Sequence, residues 1–319
     1  MSHIEAGKPN SKPSVYATIG AFDGVHIGHQ QLIRSMVKQA KQDLIGSLVI
    51  TFHPHPAVLL RSLPMPFYLS TPSEKESIFH QLGADFVLDL EFSRSMANME
   101  PDEFMDLLLN QYQIIQLWLG SDFTLGKNRA GNLTVLSEIG KQKGYSIIEC
   151  PFLNNDQGKV SSSQIREWVI SGLFPPTTKA LNRYYSLTGK VTYGDARGKK
   201  IGFPTANLDI WSGKLIPKPG VYATWITIEN QIFPSVTNVG LRPTFESKQT
   251  IPRIEAHILD FDQDIYQKEV QLHFVENIRI EKKFSSIAEL TNQIQKDAIQ
   301  AQEILKNVPK PTGLFTRSP

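Results

Sequence analysis

The chain of 319 residues carries 33 Lys and Arg against 31 Asp and Glu, a net charge of +2, so its composition gives no support to nucleic-acid binding, for which a basic excess is expected. Its single cysteine, Cys150, excludes an intramolecular disulfide and a cysteine-based metal cluster. No apolar run approaches the ~20 residues of a membrane span. Residues 1–13 are polar and contain two prolines, which predicts a disordered tail on a cytoplasmic protein without a membrane or nucleic-acid partner.

From residue 14 to about residue 150, short β-rich apolar runs alternate with amphipathic helical stretches. This alternation predicts an α/β domain with a doubly wound parallel sheet, in which ligands bind at the carboxyl ends of the strands. The predicted strands are Val15–Ile19, Ser47–Phe52, Phe86–Leu90, Ile114–Leu119 and Ser146–Cys150, and the helices lie at about Gly28–Gln42, Ser73–Gln81, Pro101–Gln111 and Leu133–Lys143.

The pattern changes after a predicted helix at Ser162–Ser171 and a short one near Thr178–Asn182. Closely spaced strands without intervening helices then predict a small antiparallel β-barrel, with a C-terminal helix at about Ile287–Leu305 covering one face. We place the domain boundary near residue 183, giving domains 14–183 and 184–319. The predicted barrel strands are Leu187–Val191, Tyr222–Ile228, Ser235–Asn238, Ile254–Leu259 and Val270–Phe274.

The sequence GAFDGVHIGH at residues 20–29 directly follows the first predicted strand. Its glycines permit close approach of a ligand to the backbone, and the start of the next helix is a ready site for phosphate. His26 and His29, three residues apart, stand on one side of the turn, where they can stabilise charge on an α-phosphate during nucleotidyl transfer. Surface or helix-capping roles for the histidines are the alternative, and H-x-G-H also occurs in class I aminoacyl-tRNA synthetases.

Three further stretches come at strand ends or a helix start of the same predicted domain: TFHPHP (51–56), LGSDFTLGKNRAG (119–131) and VSSSQIREWVISG (160–172). In the last, serine hydroxyls at a helix start can bind phosphate, and Arg166 can pair with a leaving pyrophosphate. Alternatively, the serines only cap the helix and Pro-His-Pro is a rigid turn.

Together these four stretches resemble the FAD synthetase (FMN adenylyltransferase) module of bacterial bifunctional riboflavin kinase/FAD synthetases, from Ile19 to Gly172. The resemblance implies that His26 and His29 serve adenylyl transfer. It places Gly20, Phe22, Asp23, Gly24, Gly28, Asp122, Ser162, Ser163 and Arg166 in the nucleotide and phosphate site, and Phe52, His55, Pro56 and Phe123 in the flavin site. The chain departs from that family at Ala21, Ser163 and Thr124-Leu125, where the family commonly has Asn or Thr, Thr, and Arg-Phe.

A second motif, GKVTYGDARGKKIGFPTANL, occupies residues 189–208. Its glycine-rich cationic loop can wrap ATP phosphates through backbone amides, although an exposed hairpin loop with solvated charges has the same composition. Pro204-Thr205-Ala206-Asn207 predicts a rigid turn. Thr205 and Asn207 would present hard oxygen ligands for a Mg²⁺ ion that is also held by ATP.

This string resembles the riboflavin kinase family, and the pieces PGVYA (219–223), VTNVGLRPTF (236–245), IEAHILDF (254–261) and IRIEKKF (278–284) follow in the family's order. The resemblance implies that Glu255 is the base that accepts the riboflavin hydroxyl proton and that Arg242 lies near the flavin. Gln267 replaces a usual glycine. The nucleotide-binding set is Gly194, Arg197, Gly198, Lys199, Thr205 and Asn207, of which Thr205 and Asn207 also hold Mg²⁺.

We therefore expect an enzyme that phosphorylates riboflavin to FMN and then adenylylates FMN to FAD, with riboflavin, FMN and ATP as substrates and Mg²⁺ as the required ion. One alternative is a riboflavin kinase whose adenylyltransferase domain is weakened by substitutions such as Ala21. Another is a flavin- or nucleotide-binding regulator that keeps both folds without their chemistry.

Overall fold

The computed structural model describes residues 12–151, 154–155, 158–194, 198, 201–243 and 250–312; for residues 154–155, 158–159, 241–243 and 250–252 it describes the backbone alone. The chain forms two compact units. The first comprises Met1–Pro64 and Pro72–Val160, and the second comprises Met65–Thr71 and Ser161–Pro319. Residues 1–11 of the predicted tail lie outside the described residues.

A five-stranded parallel sheet in the order β3-β2-β1-β4-β5 forms the centre of the first unit. Its inner strands bear apolar residues on both faces, as expected of a parallel sheet covered by helices, and the buried core includes Ala17, Ile50 and Leu117. The strands are β1 (Ser14–Ile19), β2 (Gly46–His53), β3 (Phe86–Glu91), β4 (Gln113–Gly120) and β5 (Ser146–Cys150), and a hairpin of β6 (Asn154–Asn155) and β7 (Gly158–Lys159) follows.

The helices of this unit begin at residues suited to their first turns. Glu100 and Glu103 form a reciprocal capping box around Pro101, and Asn132 accepts a hydrogen bond from Val135 N at 3.0 Å. The helices are α1 (Ile27–Gln42), α2 (Pro56–Arg61), α3 (Pro72–Gln81), α4 (Arg94–Ala97), α5 (Pro101–Leu109) and α6 (Leu133–Lys143).

The second unit contains a closed barrel in the order β10-β11-β12-β9-β8-β13, with every neighbouring pair antiparallel. Its elements are α7 (Ser162–Ser171), α8 (Phe174–Leu181), β8 (Tyr185–Thr192), β9 (Ala206–Ile210), β10 (Gly220–Ile228), β11 (Gln231–Pro243), β12 (Thr250–Ile258), β13 (Glu269–Arg279) and α9 (Ile287–Lys306).

Aromatic packing fixes α8 on the barrel, because Phe174 is fully buried and lies 4.9 Å from Phe274 and 5.6 Å from Tyr222 between ring centroids. Helix α9 buries Ala301 and Leu305 in a cluster with Val221 and Trp225. Among the helices described, none is long and apolar enough to cross a membrane.

The predicted fold class is confirmed for both parts of the chain, but two local predictions were wrong. The rigid turn predicted at residues 204–207 does not extend to Ala206 and Asn207. These two residues begin strand β9, which pairs with β8 on one side and β12 on the other. Helix α8 begins at Phe174, earlier than predicted, because the two prolines that follow are suited to a first helical turn.

Candidate active sites

Two stacked histidine rings lie where β1 passes into α1. His26 is the N-terminal flanking residue of α1 but makes no side-chain capping hydrogen bond, and its ring lies 3.7 Å from that of His29 at 21°. The His29 ring is half-buried, and its Nδ1 is shielded from solvent with no hydrogen-bond partner among the described residues. Burial, and then the charge of His26, lowers the pKa of His29 well below 6.5, so its ring is neutral near pH 7.

Close ring packing explains two glycines of this loop. A Cβ at Gly20 would lie 2.7 Å from the ring of Phe22, and one at Gly28 would lie 3.2 Å from Cε1 of His26. Phe22 is buried and meets His29 edge-to-face at 5.1 Å. Gly24 takes a left-handed conformation with φ 77°. The first two glycines therefore leave room for the rings of Phe22 and His26.

Lys75 is a buried cation beneath this loop that the sequence analysis missed. Its Nζ donates to Thr51 Oγ1 at 2.9 Å and to the Phe52 carbonyl at 3.3 Å, and lies 3.5 Å from the Ala21 carbonyl. Thr51 Oγ1 also donates to the Ala21 carbonyl at 3.2 Å. The Ala21 backbone is thus supported although its side chain is short. A sequence signal existed, since Lys75 lies on the same face of α3 as the buried Ile78 and Phe79.

Burial lowers the pKa of Lys75, and the carboxylates of Asp89 and Asp23 oppose that change. Asp23, which the sequence places in the nucleotide site, is 2 % exposed. A buried lysine is tolerated where oxygen acceptors and negative charge surround it. The oxygen acceptors and the two carboxylates around Lys75 therefore stabilise its charged form under the histidine loop.

Other predicted ligands of the first unit lie in different surroundings. Phe52 is buried, with its ring 5.6 Å from that of Phe92. His55 Nδ1 accepts from Ala57 N at 3.0 Å, which caps α2 and places the histidine's proton on Nε2, while Pro56 is the first residue of that helix. Asp122 is exposed and Phe123 half-buried in the loop after β4. Their roles as ligands stay a prediction.

In the second unit, the predicted phosphate-binding serines lie at the start of α7. Ser161 Oγ accepts from Gln164 N at 3.3 Å, so this serine is a cap, and Ser162 and Ser163 form the first turn behind it. Phe67, a residue that the sequence analysis did not identify, orients Arg166. The Arg166 Nε donates to the Phe67 carbonyl at 3.1 Å, and its guanidinium carbon lies 3.9 Å from the centre of the ring.

The predicted base and metal ligand of the barrel lie opposite each other on paired strands. Glu255 of β12 is in register with Asn207 of β9. Arg253, two residues before Glu255, contacts both: its Nη2 lies 2.6 Å from Glu255 Oε1, and its Nε donates to Asn207 Oδ1 at 3.1 Å. These three residues and Thr205 line a cavity of about 360 Å³. Sequence reasoning identified every member of this group except Arg253.

The glycines of the barrel motif also make close contacts. The space for a Cβ at Gly194 is taken by the Asn207 amide, and at Gly198 by the Phe203 carbonyl. Gln267, where the sequence resemblance leads us to expect glycine, adopts a left-handed φ of 66°, the conformation that glycine takes most easily. Arg197 and Lys199, together with the side chain of Arg242, lie outside the described residues.

The donors of the barrel cavity fit a divalent cation that receives its other ligands from a nucleotide. Among the described residues, no group of three or more His, Cys, Asp and Glu could hold a metal ion alone. The hydroxyl of Thr205 and the amide oxygen of Asn207 are neutral hard donors, which suits a cation shared with phosphates. A second cavity of about 440 Å³ also includes Thr205 in its lining, together with Tyr266.

Comparison with known proteins relates both parts of the chain to known families. A family model described as FAD synthetase matches residues 8–164, and one described as riboflavin kinase matches residues 181–305. The bifunctional riboflavin kinase/FMN adenylyltransferase of Bacillus subtilis is 34% identical over 306 residues, covering 95% of this chain and 96% of the relative. This chain belongs to the bifunctional riboflavin kinase/FMN adenylyltransferase family.

Further similarities agree with this family and with the fold. The relative of the same name from Escherichia coli K12 is 31% identical over 288 residues, covering 90% of this chain and 91% of the relative. A crystal structure titled macrolide-efflux protein from Streptococcus pneumoniae superposes with a TM-score of 0.84 at 30% identity, covering 96% of this chain and 97% of that one. The folds of both units therefore recur in an experimental structure.

Proposed function

We propose that this chain makes FAD from riboflavin in two ATP-dependent steps. Riboflavin and ATP give FMN and ADP in the barrel, and FMN with a second ATP gives FAD and pyrophosphate at the histidine pair. The observation that carries the proposal is that one chain has both chemical centres intact: the stacked His26 and His29, and Glu255 in register with Asn207. A regulator without catalysis would have no need of both.

In the kinase step, Glu255 accepts the proton of the riboflavin terminal hydroxyl as that oxygen attacks the γ-phosphorus of ATP. Thr205 and Asn207 would hold Mg²⁺, which would neutralise charge on the phosphates when bound. The remaining assignments are Gly194, Arg197, Gly198 and Lys199 to the nucleotide phosphates and Arg242 to the flavin.

In the adenylyl-transfer step, a phosphate oxygen of FMN attacks the α-phosphorus of ATP, and the bond to pyrophosphate breaks without a covalent enzyme intermediate. His26 and His29 stabilise the charge that develops on the α-phosphate oxygens. The lowered pKa of His29 makes this ring a neutral hydrogen-bond donor, so its contribution comes from an oriented dipole.

The other predicted ligands support this second step. Gly20, Phe22, Gly24 and Gly28 shape the loop around the histidines, as the ring contacts indicate. The roles proposed for the remaining residues are nucleotide and phosphate binding by Asp23, Asp122, Ser162, Ser163 and Arg166, and flavin binding by Phe52, His55, Pro56 and Phe123.

We assign adenylyl transfer to residues 14–183 and the kinase to residues 184–319 of a cytoplasmic protein. Support for this division comes from the matched ranges, since the FAD synthetase match ends at residue 164 and the riboflavin kinase match begins at residue 181. The balanced charge favours small-molecule substrates over a nucleic-acid partner.

Two reciprocal variants test whether each step belongs to its own centre. Glu255→Gln removes the base with little change in shape, so we expect it to leave riboflavin unphosphorylated while still converting supplied FMN to FAD. His29→Ala should do the opposite, producing FMN that accumulates. Chromatography of the flavins after incubation with ATP and Mg²⁺ reads both results. FAD formation from FMN lost in Glu255→Gln, or kept at the wild-type rate in His29→Ala, would contradict the assignment.

A further inference from the structure

A guanidinium group lies between the two oxygen-bearing side chains of the barrel cavity. Arg253 and Glu255 are two residues apart on β12, so their side chains leave the same face of the strand. Asn207 stands directly across from Glu255 on β9. The Arg253 guanidinium group therefore contacts both partners. Its Nη2 lies 2.6 Å from Glu255 Oε1, and its Nε lies 3.1 Å from Asn207 Oδ1. The two charged side chains are 29% and 23% exposed, so the pair is partly screened from water.

Arg253 donates its hydrogen bond to Asn207 Oδ1, the same oxygen that is proposed to bind Mg²⁺. An amide oxygen has two lone pairs, and one of them receives the Arg253 N–H. A positive charge held at this oxygen also repels a divalent cation arriving there. The bond to Glu255 has the opposite effect, because it restrains the carboxylate in one orientation beside the reacting hydroxyl. Arg253 thus both orders the base and competes with the metal.

We propose that Arg253 is a positioning residue of the kinase step, which orients Glu255 and must release Asn207 Oδ1 when the Mg²⁺–nucleotide binds. This inference rests on the proposed kinase function of the barrel. It assigns Arg253 a role that is separate from phosphate binding by the cationic loop. It also predicts that one substitution lowers the Mg²⁺ requirement while it slows turnover.

The first test is Arg253→Met, which keeps an extended side chain but removes the charge and all donors. We expect the Mg²⁺ concentration for half-maximal kinase activity to fall by about tenfold, because a competing charge-assisted hydrogen bond of ~1.5 kcal/mol is lost. The kcat should also fall by about tenfold, because Glu255 loses the group that orients it. Arg253→Lys restores a cation for Glu255 and should recover kcat to within about threefold of the wild type.

A binding measurement separates metal competition from turnover. Riboflavin fluorescence is followed in the full chain with ADP, which has no γ-phosphoryl group to transfer, while Mg²⁺ is added. Arg253→Met should reach its half-maximal change at a lower Mg²⁺ concentration than the wild type. Lys268→Met is the matched control, since it removes a cation from an exposed ion pair with Glu229 on the same barrel. That control should leave the Mg²⁺ dependence unchanged.

The outcomes distinguish this proposal from the kinase function on which it rests. An unchanged or raised Mg²⁺ requirement in Arg253→Met, or a kcat equal to the wild type, would overturn the role of Arg253 while wild-type FMN formation still supports the kinase. Absence of FMN formation by the wild type would overturn both. A urea-unfolding profile of Arg253→Met that matches the wild type shows that the barrel of this variant is folded.

Discussion

Replacing Gly28 with alanine should separate stability from adenylyl transfer. Gly28 is the second residue of α1, where alanine is the better helix former, by up to about 1 kcal/mol. The added Cβ, however, would lie 3.2 Å from Cε1 and 3.3 Å from Nδ1 of His26. Carbon contacts this short are compressed, so the His26 ring has to move away by a few tenths of an ångström.

The size of the loss in adenylyl transfer depends on how far the His26 ring is displaced. His26 stacks on His29 at 3.7 Å, so displacement of one ring disturbs the other. A misplacement of ~1 Å can cost ~100-fold in rate, and a shift of a few tenths should therefore cost roughly fivefold, or about 1 kcal/mol of transition-state stabilisation. We expect this loss in the kcat for FAD formation from FMN, with riboflavin phosphorylation unchanged.

The assay compares both activities and the thermal unfolding temperature in the same preparation. Gln31→Ala is the matched control, since it raises helix propensity at an exposed position of α1 and leaves the histidines untouched. We expect both variants to unfold at or above the wild-type temperature, and only Gly28→Ala to lose adenylyl transfer. Wild-type adenylyl transfer in a stable Gly28→Ala protein would refute the argument that the glycine exists to seat His26.

Three further predictions concern buried ionisable groups. Lys75→Met removes the donor beneath the histidine loop and should lower adenylyl transfer about tenfold, or ~1.4 kcal/mol, while kinase activity, measured in parallel, stays within about twofold; equal losses in both would indicate general misfolding instead. Burial lowers the pKa of His273 from 6.5 to about 4, so the unfolded chain gains a proton across that window and the folded barrel does not. The free energy of unfolding should fall by roughly 3 kcal/mol on acidification from pH 6.5 to 4, and a urea-unfolding series should show a smaller fall in His273→Gln. Asp297→Asn breaks a buried pair in which Arg279 Nη2 lies 2.8 Å from the carboxylate, and should lower the free energy of unfolding by ~3 kcal/mol. Glu138→Gln, in an exposed pair with Lys141, should change it by less than ~1 kcal/mol, and similar losses in the two would contradict this contrast.

The parts of the fold that follow local rules were predictable from the sequence. Alternating apolar runs and helices gave the parallel sheet, and each of its five strands lies within a few residues of its predicted position. The motif loop and the histidine pair were also predicted, because a glycine-rich turn between a strand and a helix determines its own geometry. Glu255 was predicted only through the family resemblance, since an isolated strand glutamate carries no distinguishing signal.

What the sequence could not reveal depends on contacts between distant segments. Strand β9 forms because β8 and β12 pair with both of its edges, which no local pattern at Ala206–Ile210 records. Lys75 reaches an atom of Ala21, 54 positions away in the chain, and Arg253 reaches Asn207, 46 positions away. Such residues become visible only when the fold brings their partners together, although the polar side chain on the apolar face of α3 was a signal for Lys75.

The most direct test of two-step FAD synthesis is a time course of the purified wild-type chain with riboflavin, excess ATP and Mg²⁺, resolved by chromatography. We expect riboflavin to decline, FMN to rise first and then to give way to FAD, with pyrophosphate released only in the second phase. FMN that accumulates without conversion would contradict the proposed role of His26 and His29, and unchanged riboflavin would contradict the account of the barrel.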